Sequence, residues 1–159
     1  MMRVRFWGVR GSIAAAGPET AQVGGNTSCV EVRVGDTLII FDAGTGLRRL
    51  GEALFAEGAG RPVTAHLLLS HLHWDHIQDF PFFGPTYAPG NRIRVYAPER
   101  CAANGDVRAA LDAQMRAPHF PVGLDAMRAE LAFGAVAAGA EWSLGEARVQ
   151  AAAAKHPNG

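Results

Sequence analysis

Cysteine is scarce in this chain of 159 residues: Cys29 and Cys101 are the only two, and neither lies in a C-x-x-C pattern. That scarcity excludes a disulfide framework. It suits a reduced, cytoplasmic setting, with both thiols read as small packed hydrophobes. An excess of either charge is also missing. Lys plus Arg total 15 and Asp plus Glu total 15, giving a formal net charge of zero. No basic bias draws the chain to nucleic acid, which leaves a local patch as the only electrostatic route to that partner. No run approaches the roughly 18 apolar residues of a membrane span, and no apolar stretch follows Met1–Arg5 as a signal peptide requires. The sequence therefore predicts a soluble, unsecreted protein with no membrane partner. It shows no internal repeat, and Ala151–Ala154 is too short to be a low-complexity domain.

What is present is apolar and patterned. Hydrophobic residues make up 48% of the chain, which argues for a folded core and against disorder, and the length suits one core. Arg3–Phe6 alternates polar and apolar, as a half-buried strand does. Gly8, Gly11 and Gly17-Pro18 mark a long loop. Val30, Val32 and Val34 face one side of a second strand, with Glu31 and Arg33 on the other. Gly35-Asp36 fits a hairpin turn, and Leu38–Phe41 returns as a more buried strand ending at Asp42. Thr45 can cap a helix whose core positions are Leu47, Leu50, Leu54 and Phe55, ended by Gly58. Val63–Leu69 is a further strand. Strand, helix, strand implies a crossover and a layered α/β fold.

Farther on, Asp79–Gly84 reads as a short helical turn and Ile93–Tyr96 as a strand. Asp106 can cap a helix carrying Val107, Ala110, Leu111 and Met115, stopped before Pro118. Met127–Phe133 alternates as another strand. Trp142–Leu144 and Ala147–Gln150 can pair across Gly145-Glu146. The alanines that follow favour helix by propensity.

The chemistry concentrates in Ser70-His71-Leu72-His73-Trp74-Asp75-His76, entered directly from the apolar Leu67-Leu68-Leu69. A rigid strand that ends in a histidine-rich loop can turn several side chains toward one point. Imidazole and carboxylate suit zinc, iron, nickel or manganese. His71 and His73, two apart on an extended segment, share a side and can reach one cation. Trp74 offers no ligand atom and either packs or flanks the substrate mouth. His66 precedes the buried strand and reads as structural. His119, in the proline-bounded Ala117–Pro121 loop, is a possible substrate contact, as is Asn26; Asn26 and Ser28 serve equally well as turn or cap residues. Gly44-Thr45-Gly46 lacks the full phosphate-loop pattern and its lysine.

H-x-H-x-D-H after an apolar strand resembles the signature of the metallo-β-lactamase superfamily. Phe6–Ser12, Gly24–Cys29 and Phe41–Gly46 resemble that family's N-terminal half in order, closest to its RNase Z-like and cyclic-phosphate phosphodiesterase branch. The resemblance runs from about Met2 to His156. It implies an αββα sandwich, of which this chain holds the N-terminal half to two-thirds, as one domain over residues 1–159 that stops short of the family's C-terminal part. It makes the stretch after Gln150 a strand leading to His156. It implies two divalent cations, zinc in the first instance with manganese or iron as alternatives. His71, His73 and His156 would hold the first, and Asp75 and His76 the second. Asp42 would orient a ligand histidine or the motif loop.

The expected activity is metal-assisted hydrolysis of a small or cyclic phosphodiester, with Asp75 also orienting the nucleophile. Thioester or β-lactam hydrolysis is the alternative on the same chemistry. A bridging aspartate and a final histidine of the family pattern are missing. Three explanations are open: an incomplete copy of a longer enzyme, a second chain (a homodimer among the options) that completes the site, or a metal-binding module without turnover. An uncovered sheet face would then expose apolar surface and unpaired edges.

Overall fold

Alternation near the N-terminus becomes an antiparallel ribbon. In the computed structural model, which describes residues 1–58, 60–101 and 106–156, β1 (Met2–Gly8) pairs with β2 (Cys29–Val34), and β2 with β3 (Thr37–Phe41), both antiparallel. Gly35 turns the β2–β3 hairpin with φ 54°, a left-handed value that glycine adopts without steric cost. After β3 comes α1 (Gly46–Gly58), and β4 (Thr64–Leu68) returns parallel to β3. β5 (Arg92–Pro98), α2 (Val107–Gln114) and β6 (Glu130–Val136) extend the parallel part. One sheet results, six strands in sequential order.

The two faces of this sheet differ. One carries Leu38, Ile40, Leu67, Ile93 and Val95 in the main core with Leu47, Leu50 and Leu54 of α1 and Leu111 of α2. Each leucine so buried stabilises by about 1.5–3 kcal/mol, which holds α1 to the sheet. Glu31 belongs to this face and is only 2% exposed; Arg33, Arg3 and the Trp7 indole surround its carboxylate. The valines of β2 are on the other face. There Ile39 and Leu68 meet Leu144 and Trp142 from a separate hairpin, β7 (Glu141–Leu144) and β8 (Ala147–Gln150). That hairpin covers only part of the face. Val4, Phe6 and Phe41, which share it, stay exposed.

Most expected elements are present, including the β7–β8 pairing and the Asp106 cap, whose Oδ1 accepts the Ala109 N–H at 2.9 Å. Three differ. The strand expected over Met127–Phe133 lies at Glu130–Val136, because the Met127 N–H closes a 3-10 turn onto Leu124 O. Phe55, expected in the core, is 46% exposed; it lies over Gly84, where an added Cβ would fall 2.8 Å from its ring. Residues 151–156 form neither helix nor strand. Ala151 bonds the Gly139–Ala140 turn, and among the described residues no neighbouring strand supplies a ladder for the rest.

Candidate metal centre

The site forms where β3 and β4 end side by side. The Asp42 N–H donates to Leu68 O, and the Leu69 N–H to Tyr96 O, so both chains leave the sheet at its carboxyl edge. Ligand sites in open α/β sheets favour that edge. Asp42 has φ 65°, a left-handed conformation that is strained for a residue with a Cβ. Its carboxylate is held from several directions. It accepts from the Ser70 N–H at 2.8 Å, from Ser70 Oγ at 2.9 Å and from Ser28 Oγ at 3.0 Å, and it lies 2.8 Å from His76 Nδ1. The hydrogen bond to Asp42 raises the His76 pKa against the opposing effect of burial.

The histidines converge. Ligand nitrogens of His71, His73 and His156 all lie within 4.8 Å of one another. Ring centroids are 4.6 Å apart for His71–His73 and 4.2 Å apart for His71–His156. His71 Nδ1 meets Ser70 Oγ at 3.0 Å, while its buried Nε2 has no hydrogen-bond partner among the described residues. Burial, then the neighbouring His76, His156 and His73, lowers the His71 pKa, which favours the neutral imidazole that binds metal. A buried orphan nitrogen aligned with two more imidazoles fits a divalent cation. Three protein donors with a position left open is the usual catalytic pattern for zinc.

Asp75 and His76 form the neighbouring pair. The 3-10 turn Trp74–His76 follows His73 and brings His76 Nε2 to 3.5 Å from Asp75 Oδ2. The same oxygen accepts the Ser12 N–H at 2.8 Å, across a loop in which Ser12 has φ 67°. Gly44 lies beneath the turn: a Cβ there would fall 2.4 Å from Asp75 O and 2.4 Å from Thr27 Oγ1. Its role is close packing, in line with the absence of a phosphate loop.

Other residues go to the scaffold. Asn26 donates its side-chain amide to Trp7 O and accepts from Thr45 Oγ1. Thr45 immediately precedes α1, yet its hydroxyl is engaged by Asn26 and the Thr27 N–H. His119 sits exposed after the cis Ala117-Pro118 bond, outside the histidine group. His66 stacks on Tyr96, and Cys29 is fully buried, its thiol pKa driven up by burial. Trp74 does not pack: it is 71% exposed. Ser12 and Ser70 were invisible as site residues. Nothing local ties Ser12 to a carboxylate 63 residues away. Ser70 is legible only as the residue that leads into the motif.

A cavity of about 630 Å³ opens beside Ser70, His71, His76 and His156, with Phe41, Leu68, Tyr96 and Trp142 as apolar wall. A sheet-edge histidine group at such a cavity defines a metal-binding α/β protein. Residues 23–126 match the sequence profile of the Metallo-beta-lactamase superfamily. The chain belongs to that superfamily, which implies divalent metal ions at the histidine motif. It is 30% identical to ribonuclease Z of Haloarcula marismortui over 129 residues, which are 80% of this chain and 38% of that protein.

Among solved structures it resembles the metallo-beta-lactamase fold protein YhfI from Bacillus subtilis (TM-score 0.58, 19% identity, 91% of this chain and 48% of that one). It also resembles a diphosphatase from the PhnP family (TM-score 0.59, 17% identity, 93% of this chain and 55% of that one). The fold is thus that of the metallo-beta-lactamases, and the chain spans about half the length of these two structures. Among the described residues, no helix is long and apolar enough to cross a membrane.

Proposed function

We propose that this chain carries the principal metal-binding part of a metal-dependent phosphodiesterase acting on a small or cyclic phosphodiester. The observation that carries it is the convergence of His71, His73 and His156 within 4.8 Å, with the His71 Nε2 buried and unpartnered among the described residues. These three hold one cation, zinc by preference. Asp75 and His76 face a second. Cations held there would polarise the phosphoryl oxygens and lower the pKa of bound water toward about 7.

The chain's own residues do the rest. Ser70 orients His71 through Nδ1, Asp42 orients His76, and the Ser12 N–H fixes one oxygen of Asp75, leaving the other to bind and to align the attacking water. Ribonuclease Z and a diphosphatase among the similar proteins support hydrolysis at phosphorus. The balanced charge favours a small substrate over a nucleic acid. The unpaired Cys29 and Cys101 accord with a cytoplasmic setting.

Among the described residues two donors face the second cation, and on this reading a full shell would need further ligands, from another segment or a second chain. The same shortfall supports a second reading, a metal-binding module without turnover. Elemental analysis together with hydrolysis of bis(p-nitrophenyl) phosphate tests both. Bound zinc lost in His71→Ala, with hydrolysis abolished by chelator and by Asp75→Ala, supports the enzyme. Zinc bound without hydrolysis even when a further segment or second chain completes the second shell supports the module. A thioester cleaved in place of the phosphodiester overturns the substrate assignment.

A further inference from the structure

Two large apolar residues that adjoin Asp75, one along the chain and one across a single hydrogen bond, are exposed. Trp74 lies between His73 and Asp75 and is 71% exposed. Ile13 follows Ser12, whose N–H holds Asp75 Oδ2 at 2.8 Å, and is 70% exposed. That one hydrogen bond therefore brings the backbone at Ile13, distant in sequence, close to Asp75, which Trp74 directly precedes.

Both positions are fixed. The Ile77 and Gln78 N–H groups donate to Trp74 O at 3.0 and 2.8 Å, and the His76 N–H donates to His73 O at 2.9 Å. The Ile13 loop is closed by its own N–H onto Gly11 O and by Arg10 Nε onto Ile13 O. Among the described residues the Trp74 indole enters no ring or cation–π contact, whereas Phe82, also exposed, is engaged by Phe120. An indole left in water on a fixed backbone, between His73 and Asp75 in the chain, forgoes the burial that usually accounts for large aromatics.

We propose that Trp74 and Ile13 form an apolar subsite that receives the organic group of the substrate, and that this group is a planar aromatic ring, a nucleobase or aryl ester. The inference rests on a phosphoester binding at the histidine–carboxylate centre. An indole face rewards a flat ring over an aliphatic one, and stacking tolerates any base because every base has a π-face. Ile13 adds a wall whose side chain has no polar atom, so the subsite selects for a ring and not for its hydrogen-bonding edge.

Calorimetry on zinc-loaded protein with adenosine 5′-monophosphate and ribose 5-phosphate tests this. The nucleotide should bind about tenfold tighter, the low end of what one stacked base contributes. In Trp74→Ala the difference should close to within about twofold, while Trp74→Phe keeps most of it. Trp74 supplies no ligand atom, so zinc content should be unchanged in both variants. Equal binding of the two phosphates by the unmodified protein, or a preference that survives Trp74→Ala, overturns the subsite and leaves the phosphoester reading standing. Failure of both phosphates to bind overturns the phosphoester reading and the subsite with it.

Discussion

Asp42 Oδ2 and His76 Nδ1 lie 2.8 Å apart, joining the end of one central strand to the turn that follows the next. The pair couples a strained backbone to the ring proposed to face the second cation. Asp42 keeps its left-handed φ because its carboxylate also takes hydrogen bonds from Ser70 and Ser28. Asp42→Ala should therefore act twice. It leaves a part-buried Ser70 N–H without its acceptor, a loss of about 1–3 kcal/mol, and it frees the His76 ring, lowering cation affinity about 10–100-fold. Urea unfolding of metal-free protein reads the first effect and a chelator competition reads the second. Unchanged affinity would show that Asp42 serves the fold alone.

The Ser12 amide predicts a contrast between two substitutions. Glycine at this position keeps the N–H and adopts φ 67° without strain. Proline removes the N–H and is locked near −65°. Ser12→Gly should bind cations as the unmodified chain does. Ser12→Pro should weaken binding about tenfold, as loss of an orienting hydrogen bond to a ligand does. Equal weakening in both would assign the effect to the side chain instead.

Glu31 gives stability a pH dependence remote from the metal centre. Burial alone would raise its pKa, but hydrogen bonds from Arg33 and Trp7 and the charges of Arg33 and Arg3 outweigh it, so the folded-state pKa is lowered from 4.5. A carboxylate whose pKa falls on folding stabilises above its unfolded value, and that contribution disappears as pH falls through the folded one. Glu31→Gln should cost about 1.5–3 kcal/mol at pH 7, the range for hydrogen bonds to a charged group. The gap from the unmodified protein should narrow steadily below pH 4.5, the unshifted value. A gap that stays constant from pH 7 to the acid limb would show that shape, not charge, matters there.

The sequence was informative where one physical cause dominated. The strands around Val32, Ile40 and Leu67 alternate or run apolar because a sheet has two faces, and the histidine motif follows a strand because a rigid edge is where ligands can be held. It misled where packing chose between equivalent patterns. Met127 and Phe133 sit in one unbroken alternation, and only the turn closed by the Met127 N–H decides that the strand starts at Glu130. Phe55 adjoins Leu54 in the helix, but a step of about 100° carries it off the buried stripe onto Gly84. His156 shows no local signal of its own; family resemblance alone pointed to it, and the structure places it with His71 and His73. The alternation placed Glu31 opposite the valines without saying which face is buried; Glu31 lies on the buried face because α1 packs there, with Arg3 and Arg33 of the strands matching its charge.

Gly44 offers the sharpest separation of turn from ligand. It contributes no side chain, yet its Cα faces the carbonyl of Asp75, Thr27 Oγ1 and Ser28 O, all within 2.7 Å of where a Cβ would stand. Two of these three are backbone atoms, so the neighbours cannot swing away as a flexible side chain would. The Gly44 N–H also donates to Ser28 O, and Ala43 pairs with His76 through its N–H and with the Asp79 N–H through its carbonyl, so the segment is bonded on both sides. Gly44→Ala must push the Trp74–His76 turn outward or break these bonds. Overpacking of this kind costs about 1–3 kcal/mol. The displacement falls on Asp75 and His76, whereas His71 and His73 precede the turn. Gly44→Ala should thus keep a cation at the histidine triad while losing whatever the Asp75–His76 pair binds. Cobalt titration followed by visible absorption can count the two sites. Equal loss at both would mean that the whole motif moves as one body, and full retention at both would mean that the turn yields without cost to the ligands.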